Sequence, residues 1–258
     1  MLIFDKIKKR TKRIIMYRHK KIYELRYTDV DAYDILKPSS LLSFLEESAC
    51  LSADELGFGY DAVAPKNMGF IIVNWYIEFT RPVKLGDKLE IHTWPLRPKF
   101  LIFFRDYEFF VDGEKVGVAT ARWCLIDTVK FSVLPPSAFF EEGAFDDYNT
   151  ERCIDFKAWK IPSLEGGEPV YTKKVTYSDY DHYFHVNNTK YADFLADTFS
   201  VEEFKGKYIK KLQVTYVKQC KVGEEIAFTR EEKDGAYIVE GRVDGEVRVQ
   251  FKVELDEV

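Results

Sequence analysis

Two of the four histidines in this chain fall within one twelve-residue stretch, YSDYDHYFHVNN (177–188). A neutral imidazole is the side chain best suited to accept a proton near neutral pH. Asp181, four residues before His185, could orient that ring and stabilise its charged form. Asn187 and Asn188 stand just ahead of a helical-looking run, where unpaired backbone N–H groups favour developing negative charge. A base, an orienting carboxylate and backbone donors for an oxyanion are the parts of a hydrolytic or acyl-transfer site. A loop histidine can equally cap a turn, so the stretch needs a control.

The chain supplies one by repeating itself. At a constant offset of 150, Tyr27, Asp29, Asp31, Tyr33, Phe44 and Leu45 fall on Tyr177, Asp179, Asp181, Tyr183, Phe194 and Leu195, six identities in 19 gapless positions. Further on, FTRPVKLGDKL (79–89) lies over YVKQCKVGEEI (216–226), and VDGE at 111 meets VDGE at 243. The order is the same in both halves, so the sequence reads as a duplicated domain. Whatever both copies keep belongs to the fold, and Asp29/Asp179 and Tyr27/Tyr177 read as capping or packing residues. His182 and His185 stand where the first copy has Ala32 and Ile35. They place the chemistry in the second half, with His185 as the base and His182 on the surface.

Each copy must position these groups with the same elements: a short strand, the Asp-x-Asp segment, a helix, then long strands hinged at DG hairpin turns. Pro38 suits a first helical turn, and Leu41, Leu45, Ala49 and Leu56 mark one helical face. In the second copy Asn187 or Asn188 is the natural N-cap of a helix over 188–199. VRVQFKVEL (247–255) alternates as a half-buried strand does. The expected architecture is α+β, two tandem units that each pack a long helix on an antiparallel sheet. The divisions are a basic arm (1–20), a first unit (21–130), a linker (131–170) and a second unit (171–258).

Composition narrows the class. The net charge is −5, but residues 1–21 hold nine Lys/Arg and one Asp, leaving −13 on the remainder. An acidic body with one basic arm is a poor nucleic-acid binder. No apolar run approaches the ~18 residues of a membrane span. Four scattered cysteines, with no CxxC and no histidine at ligand spacing, suit a reducing cytoplasm and argue against a metal. Residues 204–221 hold six lysines and no acid. In an acidic body that run could steer an acidic partner to the site, with Lys207, Lys210 and Lys211 as the docking charges.

SDYDHYFHVNNTKYADFL, together with WYIEFTRPVKLGDKLEIHTWP, FRDYEFF, ARWCLID and YVKQCKVGEE, resembles the acyl-acyl-carrier-protein thioesterases, which are tandem double hotdogs. The resemblance runs from about residue 20 to the C-terminus. It implies hydrolysis of fatty acyl thioesters carried on acyl carrier protein, with no cofactor, catalysis in the C-terminal hotdog and an acyl pocket shaped by the N-terminal one. The family pattern is Asp-x-Asn-x-His, then an acid followed by Cys on a later strand. Asp181, His185 and Cys220 match it; Tyr183 replaces the Asn and Gln219 the acid. Gln219 can position a water but cannot take a proton. Cys220 could be a nucleophile, although a buried strand thiol is usually inert. Other hotdog activities, an acyl-CoA thioesterase or a dehydratase, stay open, as does a non-catalytic acyl-binding role, and a homodimer is compatible with the sequence.

Overall fold

The computed structural model describes residues 17–146, 148–181 and 184–258. Of the basic arm, residues 1–16 lie outside the described residues, and His19 already belongs to the first strand. The first half comprises β1 (His19–Glu24), α1 (Pro38–Glu55), the single-turn α2 (Tyr60–Val63), β2 (Met68–Phe79), β3 (Lys88–Pro95), β4 (Phe103–Val111), β5 (Glu114–Asp127) and β6 (Ser132–Leu134). The second comprises β7 (Tyr171–Lys174), α3 (Lys190–Ala196), β8 (Lys207–Tyr216), β9 (Glu225–Lys233), β10 (Ala236–Val243) and β11 (Glu246–Glu257).

These strands form one antiparallel sheet in the order β1-β3-β4-β5-β2-β8-β11-β10-β9-β7, with β6 paired to β5. Read outward from the centre, each half runs second, fifth, fourth, third, first. The halves join where β2 pairs with β8, from Asn74 opposite Thr215 to Glu78 opposite Lys211. There the Asn74 amide donates to the Thr215 hydroxyl at 2.9 Å, and Trp75 is fully buried.

Helix α1 packs on this sheet because its apolar residues recur on one stripe: Leu41, Leu42, Leu45 and Ala49 are all buried. Each buried leucine contributes about 1.5–3 kcal/mol. Pro38 opens the helix at its first position, where a missing N–H costs nothing. The helix ends at Gly57, whose φ of +80° lets the chain turn left-handed. There the Gly57 N–H reaches the Asp54 carbonyl and the Phe58 N–H the Ala53 carbonyl, the paired bonds of a Schellman cap.

The second helix is shorter than the expected 188–199. After Ala196 the bonds tighten to i→i−3, Thr198 N–H to Leu195 and Phe199 N–H to Ala196. The Thr198 hydroxyl also donates to the Leu195 carbonyl at 2.7 Å, and Ser200 then caps a new single turn at Val201–Phe204.

The connecting segment covers the sheet face turned away from the helices. Leu212 and Val214 face the main core, so Gln213 points to the opposite side. Its amide donates to the carbonyls of Ala158 and Trp159. Arg152 pairs with the buried Asp106 at 3.0 Å, and Ile161, Leu164 and Ile238 form a small satellite core.

Candidate active site

The two Asp-x-Asp loops share a set of main-chain hydrogen bonds. The Asp31 N–H donates to the Ile35 carbonyl and the Asp181 N–H to the His185 carbonyl; Lys37 N–H meets the Asp29 carbonyl and Asn187 N–H the Asp179 carbonyl. Asp34 and Phe184, at matching places, both hold a φ of 61°, a left-handed conformation that costs a non-glycine residue energy. The shared aspartates make the turn. Asp31 accepts the backbone N–H of Tyr33 and Ile35, and an oxygen of Asp181 lies 3.4 Å from the backbone nitrogen of His185. That contact of Asp181 is with the main chain of residue 185.

The ring meets Gln219, whose Nε2 lies 3.1 Å from His185 Nδ1. An amide nitrogen only donates, so Nδ1 accepts, and a neutral ring then carries its proton on Nε2. Phe131, from the hairpin between β5 and β6, stands edge-on to the imidazole with ring centroids 6.1 Å apart. The first half therefore touches the histidine of the second.

Gln219 and Cys220 lie in the loop after β8, not on a strand as expected, because the strand ends at Tyr216. Cys220 is fully buried. Burial pushes its thiol above the ordinary cysteine value, while a hydrogen bond with Tyr191 pulls the other way. A thiol kept protonated is a poor nucleophile, and Cys220 packs.

Asn187 accepts the Thr189 N–H at 2.9 Å and the Thr189 hydroxyl at 2.7 Å, capping the turn that precedes α3. Asn188 turns the other way. Its carbonyl accepts the Tyr216 hydroxyl at 3.0 Å, and its side chain hydrogen-bonds Glu46 of α1. Tyr183, like His182, lies outside the described residues. Lys207 is exposed at the start of β8, nine residues from Tyr216, which at ~3.3 Å per residue is roughly 30 Å away. Lys210 pairs with Asp256 at 2.6 Å and Lys211 with Glu254 at 2.8 Å. The positive patch expected beside the site is thus largely matched by acids of β11 and stands at the other end of the strand.

The sequence reading missed Glu46. Within Glu46-Glu47 it looks like half of a solvated helical face, and only the folded chain brings the loop of the other half against it. Its Oε1 is buried with no donor among the described residues. Burial raises its carboxyl to about 7, with the Asn188 hydrogen bond opposing and the nearby Asp181 adding to the rise. The available signal was the duplication, since position 196, its counterpart at the offset of 150, is alanine.

One turn further along α1, Ala49, Cys50 and Ala53 line a cavity of ≈ 160 Å³ together with Phe58, Phe70 and Phe103. Its lining comes from the first half and, with Phe140, Phe145 and Tyr148, from the connecting segment. A second cavity, of ≈ 220 Å³, lies where the halves meet on the other side.

The family model for the acyl-ACP thioesterase N-terminal domain matches residues 16–133, and that for the acyl-ACP thioesterase C-terminal domain residues 168–255. Palmitoyl-acyl carrier protein thioesterase, chloroplastic, of Gossypium hirsutum is 22% identical over 216 residues. That match covers 77% of this chain and about half, 51%, of the cotton protein. The crystal structure of an acyl-ACP thioesterase from Bacteroides thetaiotaomicron superposes with a TM-score of 0.84 at 24% identity, over 93% of this chain and 98% of that one. The 12:0-ACP thioesterase from Umbellularia californica gives 0.81 at 17% identity, over 93% and 98%. The fold is therefore that of these enzymes, and with both family models matched in order along its length, the chain belongs to the acyl-ACP thioesterase family.

Proposed function

We propose that this protein hydrolyses fatty acyl thioesters carried on acyl carrier protein, releasing a free fatty acid, and that its halves are tandem hotdog units with unequal duties. The second unit presents the reacting groups and the first receives the acyl chain. The observation that carries this reading is that the loop bearing His185 and the apolar cavity both lie against one helix, α1. Glu46 faces the loop that bears His185, and Ala49, Cys50 and Ala53 follow along the same stripe toward the cavity.

In this arrangement Gln219 fixes the His185 ring so that Nε2–H points outward as a donor. That proton stabilises the thioester oxygen as the attack of water turns it into an oxyanion. Asp181 and Asn187 hold the loop and the turn around it. The departing pantetheine thiol ionises near ~8.5, like a free cysteine, and needs little acid assistance. Four free thiols suit a reducing cytoplasm.

The test is direct. Purified protein is incubated with a panel of acyl carrier protein and CoA thioesters of graded chain length, and free thiol is measured. Turnover with kcat/KM highest for carrier-protein substrates is expected. Release confined to CoA substrates would move the carrier assignment, and no release from any of them would overturn the hydrolase reading.

A further inference from the structure

The duplication provides a mirror of the candidate site. The second-half loop carrying His185 packs against α1 of the first half, and the first-half loop carrying Ile35 faces the end of α3. At that mirror position the 220 Å³ cavity is lined by Asp31, Ile35, Pro82, Val83 and Ala196. In the two alignments of the repeat these are the counterparts of Asp181, His185, Gln219, Cys220 and Glu46. The helix register holds in three dimensions, because Phe44 and Leu45 are buried as Phe194 and Leu195 are.

Only the turn-making aspartate is common to both. The histidine, the glutamine, the cysteine and the glutamate each face hydrocarbon at the mirror site. Glu46 therefore differs between the halves together with His185 and Gln219, as one member of a single constellation, although it comes from the other half of the chain.

Its surroundings fit a group that exchanges a proton. One carboxylate oxygen takes the Asn188 hydrogen bond, while Oε1 is buried and has no donor among the described residues. A buried acceptor left unpaired is costly and is retained where something else donates to it. The titratable groups facing it are Asp181 from the loop, Tyr216 at the end of β8, Tyr107 on β4 and Cys50 on its own helix. His185, meanwhile, has its Nδ1 occupied by an amide donor, which leaves the ring without a free acceptor nitrogen.

We propose that Glu46, supplied by the N-terminal half, is the proton acceptor for the attacking water, with His185 as the donor to the oxyanion. This rests on the hydrolase reading above. Glu46 takes one proton from water as the water oxygen bonds to the thioester carbonyl carbon. The carbonyl oxygen becomes an oxyanion, held by His185 Nε2–H. Collapse of that adduct breaks the C–S bond, and the proton on Glu46 passes to the leaving sulfur, giving carboxylic acid and thiol. A carboxyl raised to about 7 by burial is matched to this task at neutral pH, as an ordinary carboxylate is not.

The test compares wild type, Glu46→Gln and Glu46→Asp on acyl carrier protein thioesters and on a small acyl N-acetylcysteamine thioester. Glu46→Gln is expected to lower kcat ~10²-fold or more, with KM for both substrates within about three-fold. The limb of the wild-type pH–rate profile with a midpoint near 7 is expected to vanish in it. In Glu46→Ala, added formate, acetate and propionate should restore turnover in order of their basicity, which a packing role would not produce. Glu46→Asp keeps the carboxyl on a shorter arm and should retain the limb with kcat down at least ~10-fold; it decides the matter if the glutamine variant does not fold. Either variant within about three-fold of wild-type kcat, or a Glu46→Gln profile that keeps its limb, overturns the proposal and leaves the hydrolase reading standing. A wild-type chain that releases no thiol from any substrate overturns the hydrolase reading itself, and the proton acceptor with it.

Discussion

The side chains of Gln219 and His185 meet nitrogen to nitrogen, Nε2 to Nδ1 at 3.1 Å. Because the amide nitrogen has only protons to offer, this contact selects the tautomer of the ring. The imidazole is expected to carry its proton on Nε2, with Nδ1 showing the ¹⁵N shift of an unprotonated acceptor. Gln219→Glu replaces the donor with an acceptor and should move the proton to Nδ1, freeing Nε2. In a Glu46→Gln background that same change should recover turnover by ~10-fold or more, equivalent to ~1.4 kcal/mol off the barrier. A wild-type spectrum with the proton on Nδ1, or a double variant no faster than Glu46→Gln, would contradict this assignment.

One site per chain follows from the contrast between His185 and Ile35. His185→Ala should lower kcat by ~10² or more while leaving the thermal midpoint nearly unchanged, since its ring is only partly buried. Ile35→His should create no second site, because Pro82 and Ala196 stand there in place of Gln219 and Glu46. Retained turnover in His185→Ala removes this histidine from the mechanism.

How much of this was legible beforehand depends on where each signal resides. His185 was legible because its contrast with Ile35 is local and survives in one dimension. The repeated succession of elements along the chain was legible for the same reason: the Asp-x-Asp loops and the DG turns are short-range devices. Glu46 was hidden, because its burial is created by a loop more than 130 residues away in sequence. The ion pairs of the lysine run were hidden in the same manner, since the acids that match Lys210 and Lys211 belong to β11, and cross-strand register cannot be read from one strand. Gln219 was recognised, but its consequence for the ring depended on which of its atoms faces His185.

Glu46 should also leave a mark on stability. In the unfolded chain its carboxyl ionises near ~4.3, whereas burial in the folded chain raises it to about 7. Between those values the folded state holds the extra proton, so its contribution is full below pH ~4, falls as pH rises toward 7 and is level above. The difference is on the order of 3 kcal/mol. Urea unfolding at pH 4.5 and pH 8 should therefore show Glu46→Gln gaining on wild type with pH, and exceeding it at pH 8. A variant less stable than wild type at pH 8 would mean that the charged carboxylate is a structural partner and not a desolvated base.

Cys220 is expected to be dispensable for the chemistry. Cys220→Ser should keep kcat within about ten-fold, with the loss traced to a hydroxyl placed in an apolar site, and iodoacetamide should inactivate slowly because burial keeps the thiol protonated. Mass spectrometry of a quenched reaction should find no acyl group on this residue. An acyl adduct at Cys220 would restore the nucleophile that the sequence left open.

The cavity beside α1 makes the most exposed claim of the proposed division of labour, that the first half measures the acyl chain. Ala53 lines it, with Phe58, Phe70 and Phe103 across from it. Ala53→Phe puts a ring into that space. Each methylene expelled from an apolar pocket loses about 0.8 kcal/mol, close to four-fold in kcat/KM. A chain shortened by three or four methylenes should thus become the preferred substrate, and the longest one accepted by wild type should lose about 10²-fold. Short acyl thioesters should be turned over as before, because the groups around His185 and Gln219 are untouched. Ile35→Trp is the control: it fills the mirror cavity, which Ile35 lines, and should leave chain-length preference unchanged. If Ala53→Phe slows all chain lengths equally, the cavity does not hold the acyl chain. If Ile35→Trp shifts the preference instead, the acyl chain runs into the other cavity, and the two halves have exchanged their proposed roles.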